Sequence, residues 1–108
     1  MITKKLMHVA TSVIFFNSIQ LNLAQSQNIE AGKKIALSVC MACHGIKGVS
    51  PNPLWPNLAG QKDQYIMKQL GDFRAGRRND PLMTPQAKAL SEEDIKNLAA
   101  YFSQLKHE

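Results

Sequence analysis

Two cysteines and a histidine stand together in this chain in a C-x-x-C-H pattern, at Cys40, Cys43 and His44. This pattern is the attachment signature of c-type haem. Two thiols separated by two residues can reach both vinyl groups of a porphyrin and form thioether bonds. The next residue then lies under the iron, where an imidazole nitrogen can bind as an axial ligand. The motif therefore predicts one covalently bound haem c, with Cys40 and Cys43 as the attachment residues and His44 as the proximal iron ligand.

Three other uses of a cysteine pair compete with haem attachment. A thioredoxin-like redox motif requires a βαβ setting, and no strand pattern precedes Cys40. A zinc site needs about four ligands, and the only other histidine outside the first 26 residues is His107, near the end of the chain. A plain disulfide would close a very short loop, which removes little entropy from the unfolded chain, and it would leave His44 unexplained.

A methionine is the expected ligand on the other side of the iron. Histidine with methionine makes an electron carrier, whereas an open position suits ligand binding or peroxidase-like chemistry. Met41 lies inside the attachment motif, and Met67 lies close to the apolar stripe of a predicted helix, where core packing is its expected role. Met83 lies between Pro81 and Pro85, which stiffen the chain around it. Met83 is therefore the predicted distal iron ligand.

Residues 1–26 have the order of a secretory signal peptide: two lysines, an apolar run, then small residues. Cleavage is expected near Ala24 or Ser26. The apolar run is too short and too interrupted for a spanning helix, which needs about 20 apolar residues. An uncleaved anchor on the membrane surface is the alternative. The sequence therefore predicts a signal peptide over 1–26, a single domain over 27–108, and export to the periplasm.

Helical periodicity dominates that domain, and strand patterns are nearly absent. Apolar residues recur at helical spacing over 29–39, over 61–74 and from Ser91 onward, where Asp94 completes a capping-box-like start. The connecting segments are rich in proline and are predicted to be loops, including the one that holds Met83. The expected fold class is all-α, with three to five short helices wrapped around one haem, because so small a domain buries little surface by itself.

The charge balance excludes one broad class of function. The chain carries 13 Lys and Arg against 8 Asp and Glu, a net charge of +5, and loss of the leader lysines would leave an excess of three. This excess is small and no nucleic-acid-binding motif accompanies it, so nucleic acid is not an expected partner. A basic cluster at Arg74, Arg77 and Arg78 is either a solvated turn or a patch that holds a haem propionate or steers an acidic partner.

Four segments together resemble a bacterial class I c-type cytochrome: GKKIALSVCMACHG, PNLAGQ, YIMKQLGDFRAGRRNDPLM and LSEEDIKNLAAYF. The resemblance covers nearly all of the chain beyond the leader. It is closest to one haem domain of the dihaem bacterial cytochromes and to small monohaem carriers similar to them, and the single C-x-x-C-H implies one haem. The resemblance implies the roles given above for Cys40, Cys43 and His44, and Met83 falls where the family places its distal methionine.

The resemblance also implies two structural contacts. Gly32 and Tyr101 match the pair at which the first and last helices of the family cross closely, where a glycine lets two backbones approach. A backbone carbonyl, that of Pro51 or Pro53, is expected to accept a hydrogen bond from the second ring nitrogen of His44 and to fix the ring.

The expected function is that of a periplasmic monohaem electron carrier and not of an enzyme. It would pass electrons from a respiratory complex or dehydrogenase to a terminal oxidase or reductase. Its expected partners are redox proteins, met by a monomer in transient complexes, with a membrane contact only if the leader is uncleaved. Two alternatives are a haem subunit of a periplasmic dehydrogenase complex, and a haem sensor or peroxidase-like enzyme with a labile distal ligand.

Overall fold

A computed structural model describes residues 28–107. The predicted signal peptide, residues 1–26, lies outside the described residues. Between residues 28 and 107 all regular structure is helical and no strand is present, and the all-α class is confirmed. No helix in this part of the chain combines the length and the apolar character needed to cross a bilayer.

The described part of the chain opens with a continuous helical rod built of three parts. Residues 28–35 form α1, Ala36–Cys40 form a π-helical segment, and Met41–His44 form α2. The rod does not break at either junction, because the residues there keep right-handed helical backbone angles. The predicted helix over 29–39 was therefore too short, since the C-x-x-C-H motif is itself helical.

Two longer helices follow the predicted pattern closely. Helix α3 spans Asp63–Ala75 and packs against α5, which spans Glu92–Ser103. Helix α5 opens with a complete capping box. The Asp94 N–H donates to Oγ of Ser91 at 3.0 Å, and the Ser91 N–H donates to a carboxylate oxygen of Asp94 at 2.9 Å. The capping box predicted at this position is confirmed.

A short helix, α4, spans Met83–Lys88 and packs against α3. The sequence predicted a loop here, and that prediction was wrong. Pro85 lies in the first turn of α4, where backbone N–H groups have no intrahelical partner, so the missing N–H of proline removes no helical hydrogen bond. Met83 is consequently the first residue of a helix.

The core lies where the N-terminal rod crosses α5 and meets α3. Its buried members are Ala36, Ile66, Leu98, Ala99, Tyr101 and Phe102. A Cβ atom on Gly32 would lie 3.0 Å from Cβ of Tyr101 and would overlap the Asn97 backbone oxygen. The close crossing of the first and last helices predicted at Gly32 and Tyr101 is therefore confirmed.

Candidate haem site

The three residues of the C-x-x-C-H motif lie together at the C-terminal end of the rod. Cys40 closes the π-helical segment, and Cys43 and His44 end α2. Residues three apart are neighbours on a helix surface, so Cys40 and Cys43 share one side of the rod. Both thiols are half-buried and free. The structure thus brings the two predicted attachment residues together without joining them to each other.

The chain reverses direction immediately after the motif, at Gly45. This glycine has a φ of +86°, a conformation that favours glycine. A Cβ atom here would overlap the Val49 backbone oxygen, so a larger residue would push the following loop away from the helix end. Backbone hydrogen bonds also join the start of the loop to its end, because the Gly48 carbonyl accepts the N–H groups of Leu58 and Ala59 at 2.8 and 2.9 Å.

His44 is held in one orientation by this loop. Its ring is buried, with 6% of its surface exposed, and Nδ1 lies 2.8 Å from the carbonyl oxygen of Pro56. A carbonyl oxygen only accepts, so Nδ1 donates, and Nε2 is the nitrogen left to bind a metal. Among the described residues Nε2 has no hydrogen-bond partner. An imidazole whose Nδ1–H is held by a carbonyl in this way has the arrangement of a metal ligand.

The carbonyl that holds His44 was expected from Pro51 or Pro53, and that expectation was wrong. Those two prolines stand before or within a turn over residues 52–55, which a backbone hydrogen bond of 3.1 Å closes. Pro56 is the first residue after the turn, and its carbonyl is the one that reaches the ring. The signal that could have identified it was the segment PNLAGQ, which begins with this proline.

The Cys40 thiol is not in the state required of a reactive cysteine. Burial, and then the charge on Cys43, raise the pKa of Cys40 to about 11. Thiol–disulfide exchange needs the thiolate, and cysteines that perform it have lowered pKa values. The environment of Cys40 therefore disfavours a thioredoxin-like use of the motif.

Met83 is half-buried, and a hydrogen-bonded aspartate fixes its backbone. The N–H groups of Met83 and Leu82 donate to one carboxylate oxygen of Asp80 at 2.8 and 2.9 Å. These hydrogen bonds, with that of Met83 the larger effect, lower the pKa of Asp80. Thr84 closes the turn, since its Oγ1 accepts the Asp80 N–H at 2.8 Å.

Sequence reasoning missed Asp80 and Thr84. An aspartate three residues before the candidate ligand is a helix N-cap signal that could have revealed this turn.

The other two methionines are placed differently. Met67 lies in α3 and packs against the core cluster, in keeping with the packing role expected for it. Met41 lies inside the motif and is 40% exposed. Met83 lies on a separate helix, 39 residues beyond His44 in the chain.

Large apolar side chains that neighbour the motif and Met83 in the chain lie uncovered, which fits a bound apolar group. Ile46, which follows the motif, is 63% exposed, and Leu82, which precedes Met83, is 57% exposed. Within residues 28–107, Leu98 is the one large side chain that is completely buried, so the protein supplies only a small core. A haem requires two free thiols for attachment and an imidazole with an available nitrogen, and all three groups are present here. The uncovered apolar side chains suit contact with its porphyrin.

Comparison with known proteins identifies the family. The family model described as Cytochrome c matches residues 29–106. Cytochrome c4 of Thiocapsa roseopersicina is 49% identical over 74 residues, which cover 68% of this chain and 38% of that protein. A thiosulfate dehydrogenase electron acceptor of Thiomonas intermedia is 44% identical over 68 residues, which cover 62% of this chain and 31% of that protein.

A solved structure gives the same result. The structure of cytochrome c4 from Acidithiobacillus ferrooxidans superposes with a TM-score of 0.69 at 37% identity, covering 72% of this chain and 49% of that chain. The present chain thus spans less than half the length of these three relatives, in keeping with the predicted likeness to one domain of a dihaem cytochrome.

The cytochrome c domain binds covalently attached haem c, and the single C-x-x-C-H accounts for one haem. This chain is a class I c-type cytochrome and belongs to the cytochrome c family.

Proposed function

We propose that this chain is a one-electron carrier whose haem is attached through Cys40 and Cys43 and whose iron is bound by His44 and Met83. The observation that carries the proposal is the state of His44. It is buried, its Nδ1 is committed to the Pro56 carbonyl, and it directly follows two free thiols on the same helical turn. This combination supports a fixed axial ligand beside a covalent attachment site.

Different residues would orient the iron ligand and set the reduction potential of the haem. When bound, haem supplies an iron that takes up and releases one electron. The Pro56 carbonyl keeps the proton on Nδ1 of His44, so that Nε2 is free to bind the metal. The thioether of Met83 favours the ferrous over the ferric state, which raises the reduction potential. If His44 and Met83 both bind the iron, they would leave no coordination position for a substrate, and the site would serve electron transfer.

We further propose that an exported dehydrogenase supplies the electrons. The likeness to thiosulfate dehydrogenase electron acceptors supports this choice. The donor would then be an enzyme that oxidises a sulfur oxyanion such as thiosulfate, and the acceptor a terminal oxidase or reductase. The signal peptide predicted over residues 1–26 supports placing this exchange in the periplasm.

The test is to express the chain with its own leader in a bacterium that attaches haem c, and to purify it from the periplasm. We expect a mass equal to the chain cut near Ala24 or Ser26 plus one haem. The colour should stay with the protein in acid acetone, and a redox titration should show one reversible one-electron transition. Stopped-flow mixing with a purified thiosulfate dehydrogenase and thiosulfate should reduce the haem.

Two variants separate the parts of this proposal. Replacing both Cys40 and Cys43 by alanine should release the colour into acid acetone, whereas replacing Ser103 by alanine should not. Colour that extracts from the wild type would contradict the attachment. A stable covalent haem that several dehydrogenases fail to reduce, while a chemical reductant succeeds, would contradict the proposed donor and leave the attachment intact.

A further inference from the structure

Ser50 connects the two ends of the hydrogen bond between His44 and Pro56. Its hydroxyl lies 3.0 Å from the carbonyl oxygen of Cys43, the residue directly before His44. Its backbone N–H donates to Oδ1 of Asn57, the residue directly after Pro56, at 2.7 Å. The hydrogen bonds and the chain therefore form a closed ring, and the bond that holds the imidazole is one side of it.

The need for such a connection follows from the loop itself. Residues 51–57 contain no helix or strand, and Leu54 is 85% exposed. Proline has no N–H of its own, so Pro56 contributes no backbone donor that could fix its position. The loop is also tied at Gly48, but that tie lies outside the ring. Ser50 is the residue that contacts both neighbours of the His44–Pro56 hydrogen bond, Cys43 through its hydroxyl and Asn57 through its backbone N–H.

The Ser50 hydroxyl has a single proton to share among its contacts. It lies 2.9 Å from the carbonyl oxygen of Asn52 as well as 3.0 Å from that of Cys43, and it accepts the Asn52 N–H at 3.2 Å. The hydroxyl thus joins the loop turn to the helix end. Removing it would free the loop from the Cys43 carbonyl while leaving the Gly48 tie in place.

We propose that Ser50 is a positioning residue that, with Asn57, keeps the Pro56 carbonyl on His44 and thereby sets how strongly His44 donates electrons to the iron. The inference rests on the proposed role of His44 as a ligand. A histidine whose second nitrogen donates to a carbonyl is a more basic ligand, and a more basic ligand stabilises the ferric state. When the closed ring of hydrogen bonds is loosened, Nδ1 donates less strongly to the Pro56 carbonyl. His44 then donates less electron density to the iron, and the reduction potential rises.

The experiment compares Ser50→Ala with Ser103→Ala in the haem-loaded protein. Ser103 is a matched control, because its hydroxyl also donates to a backbone carbonyl, that of Ala100, at 3.2 Å from a half-buried position. We expect Ser50→Ala to shift the ferric–ferrous equilibrium toward the ferrous state by less than about tenfold. It loosens but does not remove the Pro56 carbonyl, and outright loss of such a partner typically costs about 10–100-fold in metal affinity or activity. Ser103→Ala should leave the equilibrium unchanged.

A second readout follows the hydrogen bond directly. The Nδ1 proton of His44 should exchange with solvent faster in Ser50→Ala than in the wild type, as followed by NMR. Asn57→Ala should act in the same direction, Asn57→Asp should retain the wild-type behaviour because it keeps the acceptor oxygen, and the double variant should change less than the sum of the single changes.

Each outcome decides the inference. An unchanged potential and unchanged proton exchange in Ser50→Ala would overturn it, as would equal shifts in Ser50→Ala and Ser103→Ala or strict additivity of Ser50→Ala and Asn57→Ala. Failure of the proposed function would instead be visible in the wild type, as the lack of a reversible one-electron transition. If Ser50→Ala does not fold, the two Asn57 variants test the same ring of hydrogen bonds through the contact between Asn57 Oδ1 and the Ser50 N–H.

Discussion

Gly32 and Tyr101 face each other where the N-terminal rod crosses α5, so closely that a Cβ atom on Gly32 would lie 3.0 Å from Cβ of Tyr101. The same atom would overlap the backbone oxygen of Asn97. We therefore expect Gly32→Ala to force the two helices apart and to lower the free energy of unfolding by about 1–3 kcal/mol, the usual cost of overpacking. Urea denaturation of the haem-loaded protein measures this change.

The matched control for Gly32→Ala is Gly71→Ala. Gly71 lies inside α3, and nothing lies within 4 Å of the position that its Cβ would occupy. Alanine should stabilise the protein here by about 0.5–1 kcal/mol, because glycine is the poorer helix former. Destabilisation of equal size at both positions would show that the close helix crossing is not the cause.

Met83→Ala should remove the methionine–iron bond, whereas Met67→Ala should not. In the oxidised wild type this bond is expected to give the weak long-wavelength charge-transfer band of class I cytochromes. The band should vanish in Met83→Ala and persist in Met67→Ala, whose side chain packs in the core. Carbon monoxide should bind the reduced Met83→Ala protein and leave the reduced wild type unchanged at neutral pH.

The opposite pattern of spectra would reassign the ligand. Loss of the band in Met67→Ala alone would identify Met67 as the distal ligand. Rapid and complete carbon monoxide binding to the wild type would favour the sensor or peroxidase-like alternative, because it would show a distal position that opens easily.

Ser91→Ala should destabilise α5 from its first turn. Ser91 and Asp94 exchange two hydrogen bonds there, and loss of a serine N-cap costs about 1 kcal/mol. The midpoint of thermal unfolding should fall accordingly. Ser91→Thr keeps an oxygen that can accept the Asp94 N–H, so it should stay within a few tenths of a kcal/mol of the wild type; an equal loss in both variants would argue against the cap.

Asp72 gives the protein a pH-dependent contribution to stability. Its carboxylate accepts hydrogen bonds from Lys68 at 2.6 Å and from Arg77 at 2.8 Å, and these bonds hold the pKa of Asp72 below its usual range. Since the folded protein then binds this proton less readily than the unfolded chain, the stabilisation is present above the ordinary pKa of about 3.9. It is lost as the pH falls through the lowered pKa of the folded state.

The free energies of unfolding of the wild type and of Asp72→Asn should therefore become more similar as the pH falls. The free energy of unfolding, measured with urea over a series of pH values, should decrease more steeply below about pH 4 in the wild type than in Asp72→Asn. The difference should shrink at about 1 M salt, because exposed ion pairs are screened. Parallel pH profiles at low salt would show that Asp72 has no such linkage.

Much of the fold could be predicted because its signals are local. Ser91 and Asp94 carry the start of α5 in four consecutive residues, and the apolar stripes of α3 and α5 repeat every three or four positions. The C-x-x-C-H motif likewise needs only five adjacent residues. Family likeness supplied the long-range contact of Gly32 with Tyr101, which no local pattern contains.

The parts that sequence reasoning missed depend on where a loop closes. Three nearby prolines each offer a carbonyl, and only the turn over residues 52–55 decides that Pro56 is the one beside His44. The helix that begins at Met83 was hidden because Pro85 resembles a helix breaker, although a proline in a first turn is tolerated. Its stabilising aspartate, Asp80, lies outside the helix and carries no periodic signal.

The wide turn at Ala36–Cys40 has a further consequence for the azimuth of the motif around the rod. An α-helix rotates by about 100° per residue, and a π-helical turn holds one residue more than an α-helical turn. Ala36 is anchored in the core at the near end. The wide turn takes up its additional residue without adding to the rotation, so Cys40, Cys43 and His44 face as they would after an α-helical turn one residue shorter. The same residue added to a regular α-helix would instead turn the motif by about 100° away from the Pro56 loop.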